Sequence, residues 1–182
     1  MEGSKIELIN QNKSLRKIVE PAIIAALYFI LTFSSASIGL AYSGVQLRLS
    51  EVLTILPVFT PFAIPGLTIG CFISNIASPF GLIDLVFGTL CTLLSAFLTR
   101  LLKDVKFKGI PFLSPLPPVI LEPVFISFLI CFSSPEGLHA NAFWTMFGLI
   151  FAGQFIVCYC LGIPFYLILK KSGIFRSQRS TI

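Results

Sequence analysis

The chain has 182 residues, 55% of them hydrophobic and 12% charged, with a mean hydropathy of +0.93 and a formal net charge of +5 at pH 7. A single water-soluble core cannot hide that much apolar surface, so the composition excludes an ordinary soluble domain and points to the bilayer as solvent. No Ser/Gly/Pro-rich or charged block divides the chain, which implies one membrane domain over 18–171 between a polar tail at 1–17 and a basic tail at 172–182.

In chain order, "PAIIAALYFILTF" opens a first helix with Pro21 as its first helical residue. Basic residues, an apolar run and small residues near 35–37 also come in the order of a cleaved leader. A chain whose remainder is itself membrane-embedded has no need of a secretion signal. Further apolar segments at 49–60, 63–78, 81–102, 113–133 and 141–170 bring the expected number of helices to six. The second falls short of the roughly 20 residues that cross the hydrocarbon, so it is expected to be tilted, interfacial or paired with the third as a hairpin. The fold class is therefore all-α and integral to the membrane.

Charge sets the orientation. Lys5, Lys13, Arg16 and Lys17 precede the first helix, Arg100, Lys103, Lys106 and Lys108 follow the fourth, and Lys170, Lys171, Arg176 and Arg179 follow the sixth. Six crossings put all of these on one side, which the positive-inside rule makes cytoplasmic together with both termini, as in a multi-pass membrane protein. Arg48 alone is left outside. At i and i+3, Arg48 and Glu51 are expected to share a face and neutralise one another, as an interfacial ion pair or in contact with a ligand.

Most other polar residues lie toward the outer side: Asn75 at the end of the third helix, Asp84 in the first turn of the fourth, and His139, Asn141 and Trp144 at the start of the sixth. Glu122 and Gln154 are deeper. Counting helical rise puts both about 15–20 Å down, where they can meet. A carboxylate at that depth is costly and calls for a partner or a cavity. Plainer roles compete at several positions. Asp84 suits the positive end of a helix dipole, and Asn75 and Gln154 suit interhelical hydrogen bonding. His139 reads as a solvated loop residue, and Trp144 as an interfacial anchor or as a ring stacked on a flat ligand.

Ala22 and Ala26, with Ala25 beside them, form a small-xxx-small strip for close packing, against this chain or a partner. The five cysteines lack CxxC spacing and read as buried small hydrophobes, with Cys158 and Cys160 turned to different faces and no metal site or cofactor expected. There is no GxxxxGK[ST], HExxH or GxSxG, so neither nucleotide hydrolysis nor a familiar membrane hydrolase is encoded. The expectation is a non-enzyme; if the chain transports, energy comes from elsewhere.

"VQLRLSEVLTILPVFTPFAIPGLTIGCFISNI", "GLIDLVFGTLCTLLSA", "SPLPPVIL" and "GQFIVCYCLGIPF" closely resemble the QueT family of queuosine-precursor transporters, substrate-binding S components of energy-coupling factor (ECF) transporters. The resemblance runs from about residue 17 to 171. It implies a six-helix S-component bundle, N-in and C-in. It also implies that Ala22, Ala25 and Ala26 match the alanine motif that docks on a transmembrane coupling subunit, with two ATPase subunits driving the toppling that carries substrate inward. The family pattern has Asn at the position of Glu122 and Glu at that of Gln154, so acid and amide look exchanged here.

The ligand class implied is a 7-deazaguanine: the 7-cyano or 7-aminomethyl precursor, queuine or queuosine. Its N1–H and 2-amino group form a parallel donor pair that Glu51 or Glu122 could accept. Arg48, Asn75 and Gln154 could serve the 6-oxo and N3 edge, aromatic rings such as Trp144 could stack on the base, and Asp84 could balance an aminomethyl ammonium. The alternatives are an S component for another vitamin-like small molecule, or a non-transport membrane assembly protein.

Overall fold

The structure, a computed structural model, describes residues 2–41, 47–133, 139–173 and 175. Arg176, Arg179 and the 134–138 loop lie outside the described residues. Among the described residues every regular element is helical, and the strand-like feature is an isolated bridge between Phe107 and Ile110.

Helix α1 spans Glu2–Ser37. It does not start at Pro21, as expected, but runs through it. A proline costs a helix one backbone donor while its fixed φ remains helical, and here an Arg16–Glu20 ion pair of 3.0 Å ties together the turn before it. The second segment is a 3-10 helix, Leu49–Val58, buried over most of its length. Two features favour the tighter winding. Thr54 Oγ1 donates to the Glu51 carbonyl at 2.6 Å, and Pro57 lacks the N–H that an α-helix would pair with Leu53. At about 2.0 Å per residue, the ten residues span roughly 20 Å.

Helix α2 is Ala63–Asn75. A rod then runs from α3 (Gly81–Ile83) through a π turn (Asp84–Gly88) into α4 (Thr89–Leu101) and a 3-10 turn at Leu102–Asp104. Helix α5 spans Leu116–Ser133. The last rod joins α6 (Ala140–Phe155), a π turn (Ile156–Leu161) and α7 (Gly162–Ser172). Among the described residues three helices are long and apolar enough to cross a membrane, Ser14–Ser37, Gly81–Asp104 and Ala140–Ser172, and three shorter apolar helices are Leu49–Val58, Ala63–Asn75 and Leu116–Phe132. Each of the six expected apolar segments thus has its helix.

Packing runs α1 on α2, α2 on α4, α4 on α5 and α5 on α6, with the 3-10 segment threaded against α1, α4 and α7. Close approach of α1 and α2 depends on Gly66 and Gly70. A Cβ on Gly66 would lie 2.9 Å from the Pro21 carbonyl oxygen, and one on Gly70 would lie 2.7 Å from Tyr28 Cβ and 2.9 Å from the Ala25 carbonyl oxygen. The pair is a small-xxx-small motif on α2 that lets it approach Pro21, Ile24, Ala25 and Tyr28 of α1. Ala25 is therefore buried in internal packing, whereas Ala22 and Ala26 remain exposed.

The molecule has the polarity of a soluble protein turned inside out. Ile18, Phe33, Ile76, Leu82, Trp144 and Ile168 are exposed, while Arg48, Glu51, Asn75, Asp84, Glu122 and Gln154 are buried. An apolar outer surface this continuous is matched to lipid, with polar groups gathered where protein surrounds them.

Candidate ligand-binding site

The buried polar cluster forms where three irregular stretches of helix meet. The 3-10 segment brings Glu51, with Arg48 just before it; the first π turn begins at Asp84; the second begins two residues after Gln154. A change of winding re-aims side chains that an unbroken α-helix would place elsewhere, which is why π turns recur at functional sites.

Arg48 is the N-cap of the 3-10 segment, with extended backbone (φ −92°, ψ 109°). Its carbonyl accepts from the Glu51 N–H at 3.1 Å, and its charge acts on the Glu51 carboxyl as well as on other partners. Its Nη2 lies 3.6 Å from Asp84 Oδ2, and its Nε donates to the Ala41 carbonyl at 3.4 Å. Asp84 Oδ2 also accepts from Ser78 Oγ at 2.5 Å. Asp84 is thus held by a cation and a hydroxyl, beyond the helix-dipole role read from the sequence.

Glu51 takes a proton donor from α1: Tyr28 Oη donates to Glu51 Oε1 at 2.5 Å. The same face of α1 carries Thr32, which donates to Ser50 Oγ at 2.8 Å, and Ser35, whose Oγ accepts from the Leu49 N–H at 3.0 Å. These contacts anchor the start of the 3-10 segment, whose first backbone donors have no partner within the helix. Cys158, from the second π turn, lies 3.8 Å from both the Glu51 carbonyl oxygen and Thr54 Oγ1.

Glu122 on α5 and Gln154 on α6 meet, as their depth suggested: Gln154 Nε2 donates to Glu122 Oε2. The Glu122 carboxyl also faces that of Glu51. Asn75 Nδ2 donates to the Asp84 carbonyl at 3.2 Å and to Cys71 Sγ at 3.4 Å. Gly88 makes the room for this, since a Cβ there would sit 2.6 Å from Asp84 Oδ1 and 2.9 Å from Asn75 Nδ2. Asn75 Oδ1 and Gln154 Oε1 are buried with no hydrogen-bond partner, and Glu51 Oε2 and Glu122 Oε1 have none beyond each other's carboxyl. Such groups are expensive when left unmade. The cluster's chemistry therefore asks for a ligand rich in N–H donors.

Trp144 is not part of this cluster. It is 64% exposed, packs edge-on against Phe143 and Phe147, and lies about 15 Å before Gln154 along α6. His139 caps α6 through its backbone oxygen, which accepts from the Phe143 N–H at 3.0 Å. Cys71, Cys91, Cys131 and Cys158 are buried, but Cys160 is exposed, two residues along the helix from Cys158. Among the described residues no group of His, Cys, Asp and Glu is arranged to hold a metal ion.

Sequence reading missed Tyr28, Ser78 and Gly88. For Tyr28 a signal was present: Tyr28, Thr32 and Ser35 repeat at helical spacing in an otherwise apolar helix, the mark of a polar stripe turned inward.

Known proteins bear on this architecture. Over 91 residues the chain is 43% identical to the protein named Queuosine precursor transporter QueT from Lactococcus lactis subsp. cremoris (strain MG1363), a match covering 50% of this chain and 53% of that protein. The chain thus spans about half the length of that curated relative in the match. No solved structure matches. A family model described as QueT transporter matches residues 18–171, nearly the whole helical bundle, and the chain belongs to that family.

Proposed function

We propose that the protein is the membrane-embedded substrate-binding component of an ECF-type transporter and that its ligand is a 7-deazaguanine queuosine precursor. The observation that carries this reading is the set of four buried acceptor oxygens that no N–H donor of the chain reaches. A 7-deazaguanine offers N1–H, a 2-amino group and a ring N–H within one flat molecule, a donor set that complements them. Glu51 and Glu122, whose carboxyls face each other, take the N1–H and 2-amino edge. The Arg48 guanidinium, fixed by Asp84 and the Ala41 carbonyl, supplies a charged donor for the 6-oxo group. Asn75 and Gln154 complete the ring of contacts. Asp84 is already held by Arg48 and Ser78, so an aminomethyl ammonium would have to share it with them.

In this reading all six apolar helices belong to one six-span bundle with both termini cytoplasmic, as the distribution of Lys and Arg supports. The exposed Ala22 and Ala26 form the surface that docks on a transmembrane coupling subunit, with two ATPase subunits as the energy source. Supporting this is the 43% identity to a relative named as a queuosine precursor transporter.

The test is thermal stabilisation of the detergent-purified chain by queuine, its 7-cyano and 7-aminomethyl precursors, queuosine, guanine, riboflavin and folate. A ligand that binds only the native state raises its apparent stability by mass action. The expected result is a shift with a deazaguanine and none with riboflavin or folate. A shift with another vitamin alone moves the substrate; no shift with any ligand in folded protein removes the stand-alone binding site.

A further inference from the structure

The 3-10 segment ends, at Val58 and Phe59, against a second polar region, a cavity of about 830 Å³. Arg100, Lys103, Lys106, Lys170 and Lys171 line it, against the carboxylate of Asp104. These cations come from separate parts of the chain, the end of α4 with the turn after it and the last turn of α7. Phe59 stacks between Tyr166 and Phe175, with ring centroids 4.9 and 5.1 Å apart, and gives the cavity a rigid aromatic wall.

Two of the cations are held in place. Arg100 Nη1 donates to the carbonyls of Pro57 at 2.9 Å and Val58 at 3.5 Å. Lys170 Nζ donates to the Gly109 carbonyl at 3.1 Å and lies 5.9 Å from the centre of the Tyr166 ring. A guanidinium carries five N–H donors and an ammonium three, so these contacts leave donors for a ligand. Cations near helix C-termini also offset the helix dipole. That role needs one or two charges at each end, not five around a shared cavity.

Val58, Pro61 and Leu169 line the same cavity and, with the aromatic wall, give it an apolar side. The region therefore combines exposed and part-buried cations with an apolar rim. We infer that this cavity binds the phosphate headgroup of an anionic phospholipid, with the cations on the phosphate and the apolar rim along the acyl chains. A free phosphate ion would use only the first feature, and the rim is what favours the lipid. Basic pockets between membrane helices are suited to such headgroups.

The test uses the full chain, purified in detergent and stripped of lipid. Phosphatidylglycerol, phosphatidylcholine and inorganic phosphate are added separately, and bound lipid is counted by native mass spectrometry. At about a fivefold gain per cation, wild type should prefer phosphatidylglycerol over phosphatidylcholine, and K103Q/K106Q/K170Q should weaken that binding roughly 100-fold. K103R/K106R/K170R should keep it, while the heat-unfolding midpoint shows whether each variant is folded. Equal retention of both lipids overturns the proposal, as does a folded Gln variant that binds like wild type. Full displacement of lipid by millimolar inorganic phosphate also overturns it, by making the site one for a soluble anion. Should the Gln variant fail to fold, the wild-type preference decides: it should fade with salt, and persistence at high ionic strength would remove the electrostatic basis.

Discussion

Gln154 on α6 donates its side-chain amide to Glu122 on α5, so an acid and an amide from neighbouring helices act as one buried unit. Removing either partner strands the other. Glu122→Ala is expected to cost ligand affinity about 10- to 100-fold, the range for losing a hydrogen bond to a charged group. The exchange E122Q/Q154E keeps one acid and one amide and should restore thermal stability and much of the affinity. Isothermal titration with the best deazaguanine checks both; full binding by Glu122→Ala would remove this residue from the site.

Tyr28→Phe deletes one oxygen and leaves Glu51 Oε1 buried without its donor. The expected loss is about 1–3 kcal/mol of stability in heat unfolding, the cost of an unsatisfied buried polar group, with weakened ligand binding. An unchanged midpoint with unchanged affinity would show that the Tyr28 contact positions nothing.

Two glycines provide an internal contrast. Gly88→Ala pushes a methyl group into Asp84 and Asn75 and should destabilise by about 1–3 kcal/mol while reducing ligand affinity. Gly148→Ala, with nothing within 4 Å of the new methyl, should leave binding alone and stabilise α6 by about 0.5–1 kcal/mol. Parallel unfolding curves and titrations read the difference, and equal behaviour of the two variants would contradict the close approach at Gly88.

The alanine face of α1 divides into an inner and an outer part, and substitutions should separate them. Gly70→Val, which presses on Ala25 and Tyr28, should unfold the chain or lower its midpoint sharply. Ala22→Leu and Ala26→Leu point outward and should leave the fold and ligand binding intact. Those two should lose copurification with a coupling subunit and cellular uptake; retained uptake would dismiss the docking face.

Hydropathy alone made the six apolar segments legible, because it reports the solvent that a stretch of chain prefers. Counting helical rise also anticipated that Glu122 and Gln154 meet. What stayed hidden depends on backbone hydrogen-bond pattern and on approach in three dimensions. Nothing in "LSEVLTILPV" separates a 3-10 helix from an α-helix by apolar period, and each π turn rests on a shift of one residue in bonding. The partner of Arg48 is 36 positions further along the chain at Asp84, chosen by how α1, α2 and the rod from Gly81 converge. Passage of α1 through Pro21 was equally illegible, since a proline near the start of an apolar run is the usual mark of a helix beginning.

Ten residues wound as a 3-10 helix reach roughly 20 Å, whereas the same ten wound as an α-helix reach about 15 Å. The Leu49–Val58 stretch is therefore a long spacer for its residue count, fastened at one end beside Glu51 and at the other by the grip of Arg100 on the Pro57 and Val58 carbonyls. The longer winding thus sets the buried polar cluster and the aromatic-walled cavity about 5 Å further apart than an α-helix of the same ten residues would.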